Sequence, residues 1–245
     1  DRPFRPGPPL RGHGALGGGR MNRPPIPLLY EDNHLLVVEK PVNIPTQKDR
    51  SGDPDLLSLL KEDLKVRYGK PGRVYLGLVH RLDRPVGGVM VFAKTSKAAS
   101  RLAEQLRTGG LKKTYLAVVH GQLAKGGHLV HFLAKDRMTN TVKVVAPADP
   151  GGKKAALDYT VLAEKDGLSL IRVNLLTGRS HQIRVQFAAI GHPLYGDQKY
   201  GAARNTPGQQ IALWSHQLVL RHPTKGEELS FTSSPPDRPP WDLFR

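Results

Sequence analysis

From residue 28 the chain alternates short apolar runs with clusters of turn formers, a pattern of strands rather than of long helices. "PLLYEDNHLLVVEKP" reads as two short strands around the turn-forming Asp32-Asn33. Residues 54–68, "PDLLSLLKEDLKVRY", cluster leucines at helical spacing and meet a stop at Gly69. "RVYLGLV" (73–79) and "GVMVFAK" (88–94) are strand candidates on either side of a polar loop. A helix is expected over "TSKAASRLAEQLRTGG", capped by Thr95 or Ser96 and closed by Gly109. "KKTYLAVVHG" (112–121) is another strand, and residues 128–175 hold several more, divided by "APADPGGKK" and "EKDG". "SHQIRVQFAAIG" (180–191) reads as a short helix, with further strands near 211–220 and 228–232. Strands outnumber helices and do not alternate with them, so the expected class is α+β with a mixed, mostly antiparallel sheet.

Residues 1–20 break this pattern. They are rich in Pro, Gly and Arg and almost without core formers, so we expect a disordered leader, not necessarily native, ahead of one domain over 21–245. Within it "GHGALG" (Gly12 to Gly17) matches a dinucleotide-binding pattern. That pattern works only between a strand and a helix, and a Pro-rich coil precedes it here, so no nucleotide cofactor is assigned.

Charge narrows the classes of partner. Lys+Arg 37 against Asp+Glu 21 gives +16, and +13 without the four Arg and one Asp of residues 1–20. Such an excess points to a polyanion, because Lys and Arg neutralise phosphates and release counterions. No run approaches the roughly 18–20 apolar residues of a membrane helix. With no cysteine, disulfides and thiolate metal sites are excluded.

Four stretches could carry chemistry. "VHRLDRPVGGV" (79–89) sets Asp83 between Arg81 and Arg84, where opposite charge favours the carboxylate. It reads either as an aspartate capping a turn before Pro85 or as a working group, with Gly87 and Gly88 allowing close approach of a ligand. In "LLTGRSHQIRVQFAAIG" (175–191), Ile183, Phe187 and Ile190 form a core stripe on a helix, while His181, Arg184 and Ala188 share another face. Arg179 and Ser180 fall at that helix's N-terminus, where backbone N–H groups attract phosphate; the alternative is an ordinary amphipathic helix. Tyr115 lies in a strand, as a packing residue or as a platform for a base. The segment 94–113 carries Lys94, Lys97, Arg101, Arg107, Lys112 and Lys113 against Glu104, a face that either tracks phosphates or is merely solvated. "HLVH" (128–131) points its two histidines to opposite faces of a strand, and neither a P-loop nor a G-x-S-x-G motif occurs.

These residues carry a resemblance. "VHRLDRPVGGVMVFAKT", "KKTYLAVVHG" and "LTGRSHQIRVQFAAIGHPLYGDQKYG" resemble, in order, three signatures of the RluA-type pseudouridine synthase family; "LLYEDNHLLVVEKP" and "HPTKGEELSF" are similar to its opening strands and closing hairpin. The resemblance implies the pseudouridine synthase fold, with a catalytic cleft across its sheet, and isomerisation of uridine in structured ribosomal or transfer RNA without cofactor or metal. The N1–C1′ bond breaks, the uracil turns over, and C5 bonds to C1′. Asp83 matches the essential aspartate, acting as nucleophile on the sugar or as base on a ribose proton. Tyr115 matches the tyrosine that stacks on uracil, Arg184 the arginine paired with the catalytic carboxylate, and Arg81 the residue filling the gap left by the flipped uridine. Further RNA contacts are expected from His80, Arg84, Lys97, Arg101, Lys112, Lys113, Arg179 and His181.

Two departures matter. Relatives often carry a serine after the aspartate where this chain has Val86-Gly87-Gly88, and many carry an N-terminal S4 domain, which is not expected in the about 25 residues before the first strand here. The expectation is a cytoplasmic, monomeric enzyme. Its rivals are a catalytically silent RNA-binding or RNA-folding module on the same scaffold, and a hydrolase pairing Asp83 with His80 or His181. For an RNA binder making several phosphate contacts, raising salt from about 50 to 200 mM should weaken binding at least tenfold. A filter-binding titration that stays flat over that range would contradict the phosphate-contact reading.

Overall fold

The computed structural model describes residues 26–245, so the leader and its glycine pattern lie outside the described residues. The described chain divides into two compact units: one runs to Leu111 and regains Leu218–Ser233, the other comprises Lys112–Gln217 and Ser234–Arg245.

The first unit opens with β1 (Leu28–Glu31) and β2 (Leu35–Lys40), an antiparallel hairpin with a bulge between Leu28 and Tyr30. α1 (Leu56–Arg67) follows, its N-terminus capped by the Asp55 carboxylate accepting from Ser58 N–H; it buries Leu56, Leu60 and Leu64, an i, i+4, i+8 stripe. β3 is only Gly77–Leu78, against β4 (Gly87–Ala93). The expected strand over 73–79 is therefore reduced to its end. Glycines at 69 and 72 take positive φ and Tyr75 is exposed, so the backbone becomes ladder-competent only where it meets Phe92 and Ala93.

β4 pairs antiparallel with β2, from Leu35↔Ala93 to Lys40↔Gly88. All seven of its residues are buried, as in a strand covered on both faces. α2 (Ser96–Thr108) covers one of them, packing Ala98 and Leu102 with Leu35, Val37, Val89 and Val91. Thr95 caps this helix by accepting from Ala98 N–H, and Gly109 ends it at φ 81°.

In the second unit, β5 (Lys112–His120), β6 (Gly126–Asp136), β7 (Thr141–Val145), β8 (Lys153–Lys165) and β9 (Leu168–Leu175) form antiparallel ladders in the order β5-β9-β8-β6-β7. Two rows of the ladder position the site: Lys113–Leu175–Leu157–Leu129, and beside it Tyr115–Val173–Tyr159–Gly127. α3 (Gln182–Ala189) packs on the face these rows share, with Phe187 edge-on to Tyr159 at 5.4 Å and Val185 among Leu133, Val142 and Ala155. α4 (Gln198–Gly201) is a single turn capped by Asp197. β10 (Leu213–Arg221) begins in this unit and ends in the first, where β11 (Glu228–Thr232) pairs with it. The architecture is α+β, as expected. Among the described residues, no helix is long and apolar enough to cross a membrane.

A carboxylate clasp closes the first unit. Asp32 accepts from His34 N–H (2.7 Å) and Leu35 N–H (2.8 Å), from the Tyr30 hydroxyl (2.7 Å), and from His222 Nε2 (2.6 Å) just beyond β10. The His222 tautomer is dictated by its surroundings. Its Nδ1 accepts backbone N–H groups from Thr224 and Lys225, so the proton sits on Nε2 and points at Asp32. Burial alone would raise the Asp32 pKa, but these hydrogen bonds outweigh it and hold the carboxyl at about 2.

A carboxyl lowered in the fold contributes stability that is complete above its unfolded value of 3.8 and lost as pH falls toward 2. Asp32→Asn should therefore cost about 1 kcal/mol near neutrality, discounted for partial exposure, and flatten the stability curve between about pH 4 and 2. Urea unfolding across that range checks both.

Candidate active site

The loop from Val79 to Val86 is gripped at every second residue. His80 is buried and its Nε2 accepts Val91 N–H at 3.1 Å, which leaves the ring proton on Nδ1. The buried Thr46 hydroxyl donates to Leu82 C=O (2.9 Å) and accepts Leu82 N–H (3.3 Å). The ammonium of Lys40, a residue with 0% exposure, donates to Arg84 C=O (2.9 Å), Val86 C=O (2.7 Å) and Pro41 C=O (3.0 Å). Val86 N–H returns to Asp83 C=O at 2.9 Å, closing a turn over Arg84-Pro85. Between the anchors, Arg81 is exposed and Asp83 half-buried.

Lys40 is the strongest electrostatic feature of this unit. Burial pushes its ammonium down, the Asp83 charge opposes that fall and Arg84 adds to it, and together they leave it at about 7. Three carbonyl acceptors require all three N–H donors, so the protonated form is the one the loop geometry uses.

Arg84 has a local occupation. It pairs with Asp53, lies 3.7 Å from Asp49 and donates to Ser51 Oγ at 3.2 Å, all near the surface. The basic face expected over 94–113 is similarly subdivided. Lys94 donates to Asp32 C=O (2.8 Å) and pairs with Glu31 (3.6 Å), Arg101 donates to Pro223 C=O, and Arg107 pairs with Glu104. Lys97 is exposed on α2.

In the second unit the β5 pleat separates two neighbouring lysines. Lys112 is exposed, while Lys113 shares a face with the buried Tyr115. Arg184 is buried on α3 and holds Asp197 in a bidentate pair, Nε to Oδ2 at 2.8 Å and Nη2 to Oδ1 at 2.9 Å. Asp197 also caps α4, accepting Lys199 N–H and Tyr200 N–H at 3.1 and 3.2 Å. The Arg184 guanidinium lies 5.1 Å from the centre of the Tyr200 ring, whose hydroxyl accepts Val142 N–H (2.9 Å) and meets His181 Nδ1 (2.6 Å).

His181 stands at the N-cap of α3 with φ 52°, left-handed for a residue with a side chain. Next to it, Gln182 Oε1 accepts from Thr177 Oγ1 (2.8 Å) and Arg179 N–H (3.0 Å), while its Nε2 donates to Ala156 C=O (3.0 Å). Exposed Arg179 donates from Nε to Lys154 C=O at 2.8 Å. The two-faced reading of α3 needs correction. Residues 182 to 187 are all buried, so polar Gln182, Arg184 and Gln186 point into protein rather than to solvent. Hydrogen bonds to main chain and to Asp197 make that burial tolerable.

Lys40, Thr46, Asp197 and Tyr200 were not singled out from sequence. Asp197 had a signal: an aspartate directly before a short polar turn is an N-cap pattern. Lys40 and Thr46 carried none, since their partners are carbonyls 36 to 46 residues away.

Comparisons with known proteins identify the family and the fold. The sequence model of the RNA pseudouridylate synthase family matches residues 34–189. An uncharacterized RNA pseudouridine synthase of Bacillus subtilis is 37% identical over 213 residues, covering 82% of this chain and 66% of its own. Ribosomal large subunit pseudouridine synthase D of Zymomonas mobilis is 32% identical over 222 residues, covering 86% and 70%. The chain thus spans about two thirds of the length of these curated relatives. The solved structure of human RNA pseudouridylate synthase domain containing 4 shares the fold, with TM-score 0.71 at 24% identity over 85% of this chain and 88% of that one. The chain belongs to the RNA pseudouridylate synthase family, in its RluA-type branch.

Breaking a buried ion pair by removing one partner is costly because the other charge stays buried. Asp197→Asn should therefore destabilise the protein by about 3–5 kcal/mol in a urea titration. A change below about 1 kcal/mol would show that Asp197 is not what holds Arg184.

Proposed function

We propose that this chain isomerises uridine to pseudouridine in ribosomal RNA, with Asp83 as the essential carboxylate, Tyr115 as the platform for the uracil and Arg184 as the arginine of the centre. The observation carrying this reading is the immobilised loop. Its backbone is fixed at residues 80, 82, 84 and 86 by a histidine, a threonine, a buried lysine and its own turn. A carboxylate on so constrained a backbone is pre-organised, which lowers the reorganisation needed when charge moves at C1′.

Family membership supports the chemistry, and relatives named for the large ribosomal subunit support the substrate class. The excess of basic residues supports an RNA partner of some size. Reaching C1′ and C5 requires the nucleotide to leave its stack, and exposed Arg81 is the side chain we assign to the gap. The bonding balances without a co-reactant: N1–C1′ is exchanged for C5–C1′, C5 gives up its proton and N1 gains one. The remaining loop and helix cations, among them Lys97, Lys112 and Arg179, serve the phosphate backbone. The same reading makes the enzyme a monomer in the cytoplasm.

Either role for Asp83, nucleophile or base, needs an ionised carboxylate. Asp83→Asn should abolish pseudouridine formation, by at least about a thousandfold, while RNA affinity stays within severalfold. Mapping pseudouridine in ribosomal RNA from cells carrying the wild-type or the variant gene reads this directly. Sites that persist with Asp83→Asn would refute the assignment, and a wild type that binds RNA but forms none would favour the silent module.

A further inference from the structure

Lys113 is a half-buried cation without the partners that the buried Lys40 and Arg184 have. It sits on the Tyr115 face of β5, opposite Leu175 and in one row with Leu157 and Leu129, so its neighbours along the ladder are aliphatic. Burial pushes its ammonium below the usual lysine range, with no charged group opposing the fall. No hydrogen bond or ion pair to its Nζ is found among the described residues, whereas buried Lys40 finds three carbonyls. The head group lies against the turn before α3: a Cβ at Gly178 would stand 2.8 Å from Lys113 Nζ.

An ammonium partly withdrawn from water, with no charged partner beside it among the described residues, carries a cost that a bound anion would relieve. Two residues along a strand separate Lys113 from Tyr115 by about 7 Å on one face. That spacing is comparable to the distance between the base and the phosphate of a single nucleotide. We propose that Lys113 binds a backbone phosphate flanking the nucleotide whose base is presented to Tyr115, fixing the register of the RNA at the target uridine. This rests on the pseudouridine synthase reading above. It separates Lys113 from the exposed cations, such as neighbouring Lys112, which meet phosphates in high dielectric and without positional selectivity.

The test uses the full chain and does not depend on turnover. A pentaribonucleotide with a single central uridine is prepared with one methylphosphonate at each linkage in turn, and its affinity is measured for wild type and for Lys113→Met. With wild type, neutralising one linkage beside the uridine should weaken binding about tenfold, as expected for a charge-assisted hydrogen bond. In Lys113→Met that linkage should cease to matter, while the smaller losses at the other linkages persist and report that the variant is folded. The proposal is overturned if the same linkage still costs about tenfold in Lys113→Met, or if no linkage stands out in wild type. Pseudouridine formation by wild type on ribosomal RNA is scored separately. Activity without a selective linkage removes only the role of Lys113; a selective linkage without activity removes the isomerase reading and keeps the phosphate site.

Discussion

A single ammonium buried among carbonyls sets the geometry of the first unit's loop. Lys40 ends β2, and its side chain turns back to hold Arg84 C=O and Val86 C=O rather than reaching solvent. Burying a lysine is unfavourable unless its donors are satisfied, and the chain meets that condition with main-chain oxygens. Carbonyls, unlike carboxylates, do not cancel the charge. The ammonium therefore remains a positive group felt by Asp83 while it fixes the turn on which Asp83 sits. Thr46 and His80 complete the grip through neutral hydrogen bonds. Structure and electrostatics are thus supplied by the same residue.

The second unit solves a related problem with a different device. α3 is short and almost wholly buried, yet it carries two glutamines and an arginine. Each is held by a partner fixed elsewhere: Gln182 by Ala156, Gln186 through its Nε2 by Ala155 and His131, Arg184 by Asp197; the buried Oε1 of Gln186 alone has no hydrogen-bond partner among the described residues. Asp197 can hold Arg184 only because α4 begins at that residue and its N–H groups orient the carboxylate. The Tyr200 hydroxyl then joins His181 to the backbone at Val142. The bonds that are made hold the network rigid, because breaking one in low dielectric would be expensive.

Much of this was legible in the sequence. The hairpin around Asp32-Asn33, α1 ending before Gly69 and α2 between Thr95 and Gly109 follow from local capping and turn chemistry, which needs no tertiary information. Arg73 to Leu76 looked like a strand but is not, because β propensity becomes a ladder only where a partner strand is available. The polar face of α3 was the harder case. Periodicity shows that Gln182, Arg184 and Gln186 are not aliphatic, but it cannot show that protein oxygens await them. For the same reason the signature motifs could nominate Asp83, Tyr115 and Arg184 as candidates, whereas the supports of the loop, Lys40 and Thr46, emerged only from hydrogen bonds made at long range.

Arg84 carries a wider consequence. Its guanidinium already has Asp53 as counter-charge, with Asp49 and Ser51 close by. A side chain already paired within its own chain meets a phosphate only by exchanging one carboxylate for another anion, so it gains less from displacing the cations condensed on a nucleic acid. Arg107 and Lys94 are in the same position, through Glu104 and Glu31. The net charge of +16 already subtracts these carboxylates, but the count of 37 cationic side chains overstates how many are free to meet a nucleic acid. The working electrostatic footprint is the smaller set of cations that no internal carboxylate has claimed.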